Sequence, residues 1–178
     1  MELELWLKNI CAQIEDECIR IEKNEDSTDG NVYVLYCKNN KYIAKMYNDI
    51  IHAQAMVRLH QELNLKGVAV PKIIYSNCEG ANDNNEYIVI YSFITGTQVS
   101  KMMQNGKLDL EIVKRIAKVL RKMHDRCVGE NMFNLPQLPF DTYGKRRTVL
   151  HFDLTKDNIF YVDSEIAIID FDDAMYDS

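Results

Sequence analysis

The residues in this chain best suited to chemistry lie in His151-Phe152-Asp153-Leu154, Asp157-Asn158-Ile159 and Ile169-Asp170-Phe171-Asp172-Asp173. Transfer of a phosphoryl group needs one carboxylate to orient a hydroxyl and at least two oxygen ligands to hold Mg2+. Asp153, Asn158 and Asp170 could supply all three. Asp153 would be the catalytic base, or the group that orients the hydroxyl. Asn158 offers a neutral amide oxygen, a suitable metal ligand where another negative charge would crowd a triphosphate. Asp170 closes the apolar run Ile166-Ala167-Ile168-Ile169, so a buried strand would fix its position. Each has an ordinary alternative: a solvated loop aspartate, an Asx turn, and a cap or turn residue, the last of which suits Asp173 better. The three together, joined by a short β-hairpin, favour the chemical reading. His151 is expected to brace the loop through a backbone hydrogen bond, with no acid-base duty. Asp172 is open between an auxiliary metal ligand and a structural residue.

These motifs resemble the aminoglycoside phosphotransferase family, the small-molecule branch of the protein-kinase-like fold, which includes choline kinases. The family pattern is His-Gly-Asp-Leu-x-x-x-Asn followed by Ile-Asp-Phe-Asp-Asp; Phe152 stands where Gly or Arg is usual. The resemblance implies a Mg2+-dependent enzyme that moves the γ-phosphate of ATP or GTP to a hydroxyl of a small molecule, with an amino sugar or amino alcohol as acceptor. It also implies that Lys45, within Tyr42-Ile43-Ala44-Lys45, reaches the α- and β-phosphates. An exposed strand lysine is the alternative. Gln54 falls where a Glu usually holds that lysine, with Glu62 the other candidate. In the polar loop from Ser27 to Asn31, the amides of Ser27 and Asn31 would contact phosphates, though an ordinary hairpin turn fits equally. The strand Ile88-Val89-Ile90-Tyr91-Ser92-Phe93 would be a hinge whose backbone, around Tyr91 and Phe93, reads the purine. His124 reads as a packing residue.

Composition narrows the class. The 178 residues are 47% hydrophobic and 27% charged, ordinary for a globular protein of one domain or two small lobes. A net charge of −6 argues against a dedicated nucleic-acid binder, which would cluster Lys and Arg. The five cysteines are scattered without a C-x-x-C pair. They read as small buried hydrophobes of a reducing compartment, not a disulfide frame or zinc site. No apolar stretch approaches the roughly 20 residues that cross a bilayer, and no signal peptide is evident. A cytoplasmic protein without membrane or nucleic-acid partners is expected; the oligomeric state is open.

Hydrophobic periodicity supplies the elements that must position these groups. Leu3, Trp6, Leu7, Ile10 and Ile14 predict a helix over residues 2–14, and Ile51, Ala55, Leu59 and Leu63 another over 50–65. Strands are expected at 18–22, 32–36, 42–47, 72–75 and 86–93, with a polar surface loop over 80–85. Thr95-Gly96-Thr97 marks the lobe boundary. A long helix follows over 109–127, then an irregular stretch over 129–148. The expectation is an α+β, two-lobed, protein-kinase-like fold. Residues 1–94 form a nucleotide-binding lobe with a five-stranded antiparallel sheet and a packed helix. Residues 95–178 form a shortened, mainly helical lobe with the catalytic loop.

Family members usually carry a helical hairpin before the catalytic loop and several helices after the metal-binding Asp. Here the first region holds about twenty irregular residues, and five residues follow Asp173. The nucleotide half is therefore expected to be present and the acceptor half reduced. A catalytically weak or inactive nucleotide-binding regulatory module stays open as the alternative. A protein kinase is disfavoured by Phe152, by Asp-Phe-Asp-Asp and by the lack of an activation segment.

Overall fold

The structure, a computed structural model, describes residues 2–25, 27, 31–79, 86–127, 133–138 and 147–177. The expected surface loop over 80–85, the centre of the Ser27–Asn31 loop and most of the irregular 129–148 stretch lie outside them. The chain folds as two compact units: Met1–Val57 with Lys72–Phe93, and Arg58–Pro71 with Ile94–Ser178.

The first unit opens with helix α1 (Glu2–Gln13), then strands β1 (Cys18–Lys23), β2 (Val32–Cys37) and β3 (Lys41–Tyr47). Helix α2 (Ile50–Leu65) begins in this unit and ends in the other; strands β4 (Ile73–Ser76) and β5 (Tyr87–Ser92) complete the first. The five strands form one antiparallel sheet in the order β1-β2-β3-β5-β4. α1 presents Leu7, Ile10 and Cys11 to one face of that sheet, where they pack with Leu35, Tyr42, Ala44, Ile88 and Ile90. Side chains alternate along a strand, so Tyr87, Val89 and Tyr91 point to the other face, where they too are buried. Burial on both faces explains the unbroken apolar run of β5. Removing Ile88 or Ile90 from water contributes about 1.5–3 kcal/mol each.

A buried aspartate ties α1 to the turn between β2 and β3. Asp16 accepts hydrogen bonds from the Asn39 backbone N–H (3.0 Å), Asn39 Nδ2 (3.2 Å), Asn40 Nδ2 (3.0 Å) and the Tyr42 hydroxyl (3.1 Å). Burial pushes its carboxyl up, but donation from Asn39, Asn40 and Tyr42 outweighs burial and holds it below the ordinary value.

The second unit adds strand β6 (Thr97–Gln98), helices α3 (Val99–Gln104) and α4 (Leu110–Arg126), and strands β7 (Val149–Leu150), β8 (Ile159–Val162), β9 (Glu165–Ile168) and β10 (Met175–Tyr176). β6, β8 and β9 form a three-stranded sheet, and β10 pairs antiparallel with β7. Asp109 caps α4 by accepting from Ile112 N–H at 2.9 Å. α4 packs against β7 and β9, and its Arg115 donates to the Ser164 carbonyl (2.7 Å) at the β8–β9 turn. Asp163 and Ser164 both have positive φ (45° and 73°), as a two-residue primed hairpin turn requires. Lys122 and Arg126 donate to the Gly67 and Lys66 carbonyls at the end of α2. Gly67 has φ +71°, and its carbonyl and N–H close that end.

The expected β8–β9 hairpin is present. The pairings of β6, β7 and β10, and the short helix α3, were not legible beforehand, because two-residue strands and a single-turn-scale helix carry too little periodicity. Gly96, expected only to break a strand, has a packing reason as well. A Cβ there would lie 2.7 Å from the Tyr161 carbonyl oxygen and 2.6 Å from Val162 Cγ2, so β6 can approach β8 only because residue 96 has no side chain.

Candidate active site

The loop between β7 and β8 brings Asp153 and Asn158 into direct contact. Asn158 Nδ2 donates to the Asp153 backbone carbonyl at 2.9 Å and to its Oδ2 at 3.1 Å. Both partners are acceptors, so the NH2 must face them, and Oδ1 is the atom left to bind a cation. Further local bonds shape the loop: Asp153 N–H to His151 carbonyl (2.9 Å), Thr155 N–H to Asp153 carbonyl (3.0 Å) and Asn158 N–H to Thr155 carbonyl (3.2 Å). From outside the loop, Ser100 N–H at the start of α3 donates to the Lys156 carbonyl (3.1 Å), and Gln98 Nε2 donates to that of Asp157 (3.2 Å).

Ile169, the residue before Asp170, is held at both its N–H and its carbonyl. Ile169 N–H donates to the Asn158 carbonyl at 3.0 Å, and the Ile169 carbonyl accepts from His151 Nε2 at 2.8 Å. On the other side, Phe171 is fully buried, with its ring 4.4 Å from His151 and 5.4 Å from His60. Asp170 lies between these anchors with φ +65°, a conformation that Asp tolerates better than most residues. Its carboxylate is therefore carried by a backbone fixed to the Asn158 loop. Asp153, Asn158 and Asp170 are all half-buried, which suits groups that meet a ligand.

His151 takes the bracing role expected of it. A carbonyl partner requires Nε2 to carry the proton. Burial pushes the ring below the ordinary histidine value, against the raising influence of the Ile169 carbonyl, Asp170 and Asp153, so it is neutral at pH 7. His124 is also lowered by burial, and its carbonyl accepts from Thr148 Oγ1 at 2.9 Å, in keeping with a packing role.

Phe152 carries a cost that its sequence position alone does not reveal. It is 59% exposed, has φ +67°, and is the central residue of the three-residue turn closed by Asp153 N–H to His151 carbonyl. Such γ-turns are strained for residues with a side chain. A glycine would adopt this backbone freely, which gives a physical reason for Gly here in the pattern noted above.

In the first unit, Lys45 is half-buried on β3, opposite Val32 on β2 and Val89 on β5. The Asn31 carbonyl accepts from Met46 N–H at 3.0 Å, which places Asn31 beside the Lys45 segment. Ser27 is half-buried and its N–H donates to the Asn24 carbonyl at 3.2 Å. Gln54 Nε2 donates to the Cys78 carbonyl at 2.8 Å, which leaves Oε1 as the acceptor a lysine would use. The Tyr91 hydroxyl is buried and bonds that of Tyr47 at 2.9 Å. Phe93 is partly exposed, with the Lys41 ammonium 5.5 Å from its ring centre. In the expected hinge, Ser92 N–H donates to the Lys72 carbonyl (2.8 Å) and Phe93 N–H to that of Lys41 (3.3 Å), so those two donors are used within the first unit. The signals sequence reading missed were Phe171, whose place after Asp170 marks it as an anchor, and His60, whose Nδ1 lies 3.0 Å from the Pro71 carbonyl.

The profile of the family described as "Phosphotransferase enzyme family" matches residues 20–134. A comparison with curated proteins finds no significant match. Among solved structures, the chain is similar to spectinomycin phosphotransferase in complex with ADP and spectinomycin (TM-score 0.69, 16% identity, 97% of this chain and 70% of that one). It is also similar to an aminoglycoside 2'-phosphotransferase in complex with GDP (TM-score 0.65, 15% identity, 99% and 74%). A third similar structure is amicoumacin kinase in complex with AMP-PNP, Ca2+ and Ami (TM-score 0.69, 14% identity, 97% and 64%). At these identities the likeness establishes the protein-kinase-like fold.

Proposed function

The chain belongs to the phosphotransferase enzyme family, and from that premise we propose that it moves the γ-phosphate of ATP or GTP to a hydroxyl of a small molecule, with Mg2+ as the metal and an amino sugar or amino alcohol as acceptor. The observation that carries the reading is the Asn158 side-chain amide bonded to Asp153, with Ile169, the residue before Asp170, donating its N–H to the carbonyl of the same asparagine.

The donor set fits a hard cation: Oδ1 of Asn158 and the Asp170 carboxylate are both oxygens, which Mg2+ prefers. Bound there, Mg2+ would neutralise charge on the phosphates during transfer. Asp153 spends Oδ2 on Asn158 Nδ2, so that carboxylate is oriented, and its other oxygen can accept the acceptor's hydroxyl proton. Asn158 would thus serve both Asp153 and the cation, one through each atom of its amide. His151, neutral and donating to Ile169, holds the loop and exchanges no proton with substrate. Residues 1–94 would be the nucleotide-binding lobe, with Lys45 on the α- and β-phosphates and Gln54, Ser27, Asn31, Tyr91 and Phe93 around the nucleotide. Residues 95–178 would hold the catalytic loop and the metal ligands. The ADP and spectinomycin, the GDP and the AMP-PNP named in the similar structures support a nucleotide and a small-molecule substrate. A reducing, cytoplasmic setting suits the five free cysteines.

The test is release of nucleoside diphosphate with ATP or GTP across a panel of hydroxylated amines and sugars. Turnover with at least one acceptor, reduced about 10²–10⁴-fold in Asp153→Ala while nucleotide still binds, is the expected result. Nucleotide binding without turnover on any acceptor would replace the enzyme with a regulatory module.

A further inference from the structure

Three of the cysteines that look scattered in sequence meet in the fold. Cys11 comes from α1, Cys18 from β1 and Cys37 from β2, and their Sγ atoms all lie within 4.8 Å of one another. Cys18 and Cys37 are direct cross-strand partners, and the Cys37 and Cys11 sulfurs are 3.7 Å apart. We propose that Cys11, Cys18 and Cys37 form a three-thiolate site for one soft d10 metal ion, Zn2+ or Cu(I), that pins α1 to the sheet.

The spacing is the first argument. A metal–sulfur distance of about 2.3 Å puts the sulfurs about 3.8 Å apart in a tetrahedral site and about 4.0 Å apart in a trigonal one. The observed cluster needs only small rotamer shifts to reach either. In the fold the Cys37 thiol donates to Cys11 Sγ at 3.7 Å and the Cys18 thiol to the Arg20 carbonyl at 3.7 Å, weak bonds that metal coordination would replace. Donor chemistry comes second: thiolates select Zn2+ and Cu(I) over hard cations. Asp16 lies close enough to influence Cys11, but its carboxylate already accepts four hydrogen bonds and so does not complete the site. A three-sulfur set leaves Zn2+ with water as its fourth ligand and satisfies Cu(I) outright. Third, Cys11 is buried whereas Cys18 and Cys37 are half-buried, so the site has rigid ligands and a route in.

Burial raises the Cys11 thiol to about 11, and burial together with the Cys11 contact raises Cys37 further. A cysteine binds metal as its thiolate, so metal–sulfur bond formation expels thiol protons to solvent. The sulfurs stay at the thiolate oxidation level throughout.

The experiment titrates Zn2+, and separately Cu(I), into the reduced full chain against a chromophoric chelator, with proton release followed in weak buffer. One ion per chain with release of thiol protons is expected. Cys18→Ala and Cys37→Ala, changes at half-buried positions, should each weaken binding more than about 100-fold, since even a residue that only orients a ligand costs 10- to 100-fold. Cys127→Ala should bind normally. Tighter binding of one ion than the other identifies the metal. Failure of both ions to bind one per chain overturns the proposal. So does binding that survives in Cys18→Ala and Cys37→Ala, or a Cys11–Cys37 disulfide forming in place of any metal complex.

Discussion

Asp16 and Asp153 are both loop aspartates, and their surroundings divide structure from chemistry. Asp16, in the first unit, is 3% exposed and accepts four hydrogen bonds from side chains and backbone around the β2–β3 turn. Asp153, in the second, is half-buried, and the side-chain donor seen on its carboxylate is Asn158, at Oδ2. A carboxylate surrounded by fixed donors is a staple. One oriented through a single oxygen and open to solvent can still take a proton from something else. The same residue type therefore carries opposite predictions in the two units.

The sharpest way to break that comparison is to remove each charge in turn. Asp153→Asn should cost about 10²–10⁴-fold in turnover and little stability. Asp16→Ala should do the reverse, orphaning buried donors for about 3 kcal/mol, or roughly 10 °C in Tm, with kcat on the surviving fold unchanged. Thermal melts beside steady-state rates separate the two. A pH series sharpens the point. The Asp16 carboxyl is held below its ordinary value in the fold, so its contribution is complete above the unfolded value. It is lost as pH falls below about 4 and through the folded value. Asp16→Asn should flatten that acid limb of the stability curve; an unchanged limb would remove Asp16 as its source.

A smaller effect is expected at Gly96. Alanine there meets the Tyr161 carbonyl and Val162, and the displaced β6–β8 contact should cost about 1–3 kcal/mol in stability. Turnover should fall with it if the proposed site is the active one, because Gln98 and Ser100, just after Gly96, hold the Lys156–Asp157 part of the loop between β7 and β8. Wild-type kinetics in Gly96→Ala would show that β6 does not position the loop.

The smallest effect belongs to Phe152. A side chain at φ +67° costs about 1–2 kcal/mol, and glycine returns part of that as unfolded-state entropy. Phe152→Gly should therefore stabilise the chain by about 0.5–1 kcal/mol in denaturant melts, with turnover unchanged or higher. A loss of activity would instead make the exposed ring part of acceptor binding.

The sequence was most readable where a long pattern had one physical meaning. α1, α2, α4 and all five strands of the first sheet follow from periodicity, and His151, Asp153, Asn158 and Asp170 from motif spacing. The strand order β1-β2-β3-β5-β4 was not readable, since nothing local says that β5 inserts between β3 and β4. Asp16 was silent because a loop aspartate looks the same whether four donors surround it or none. The three-cysteine cluster was silent for a related reason: residues 11, 18 and 37 meet only after α1 has packed on the sheet. Phe152 looked chemically neutral because its cost lies in a backbone angle.

In the proposed function, Asn158 and Asp170 hold a divalent cation for a bound nucleotide. Thermal unfolding with ATP or GTP, with and without Mg2+, tests it directly in the wild type and Asp170→Ala. Stabilisation that needs Mg2+, about 2.7 kcal/mol at a ligand concentration of 100 Kd, and that disappears in Asp170→Ala, is the predicted result. Equal stabilisation without Mg2+, or in Asp170→Ala, would contradict the assignment of Asp170 to the metal.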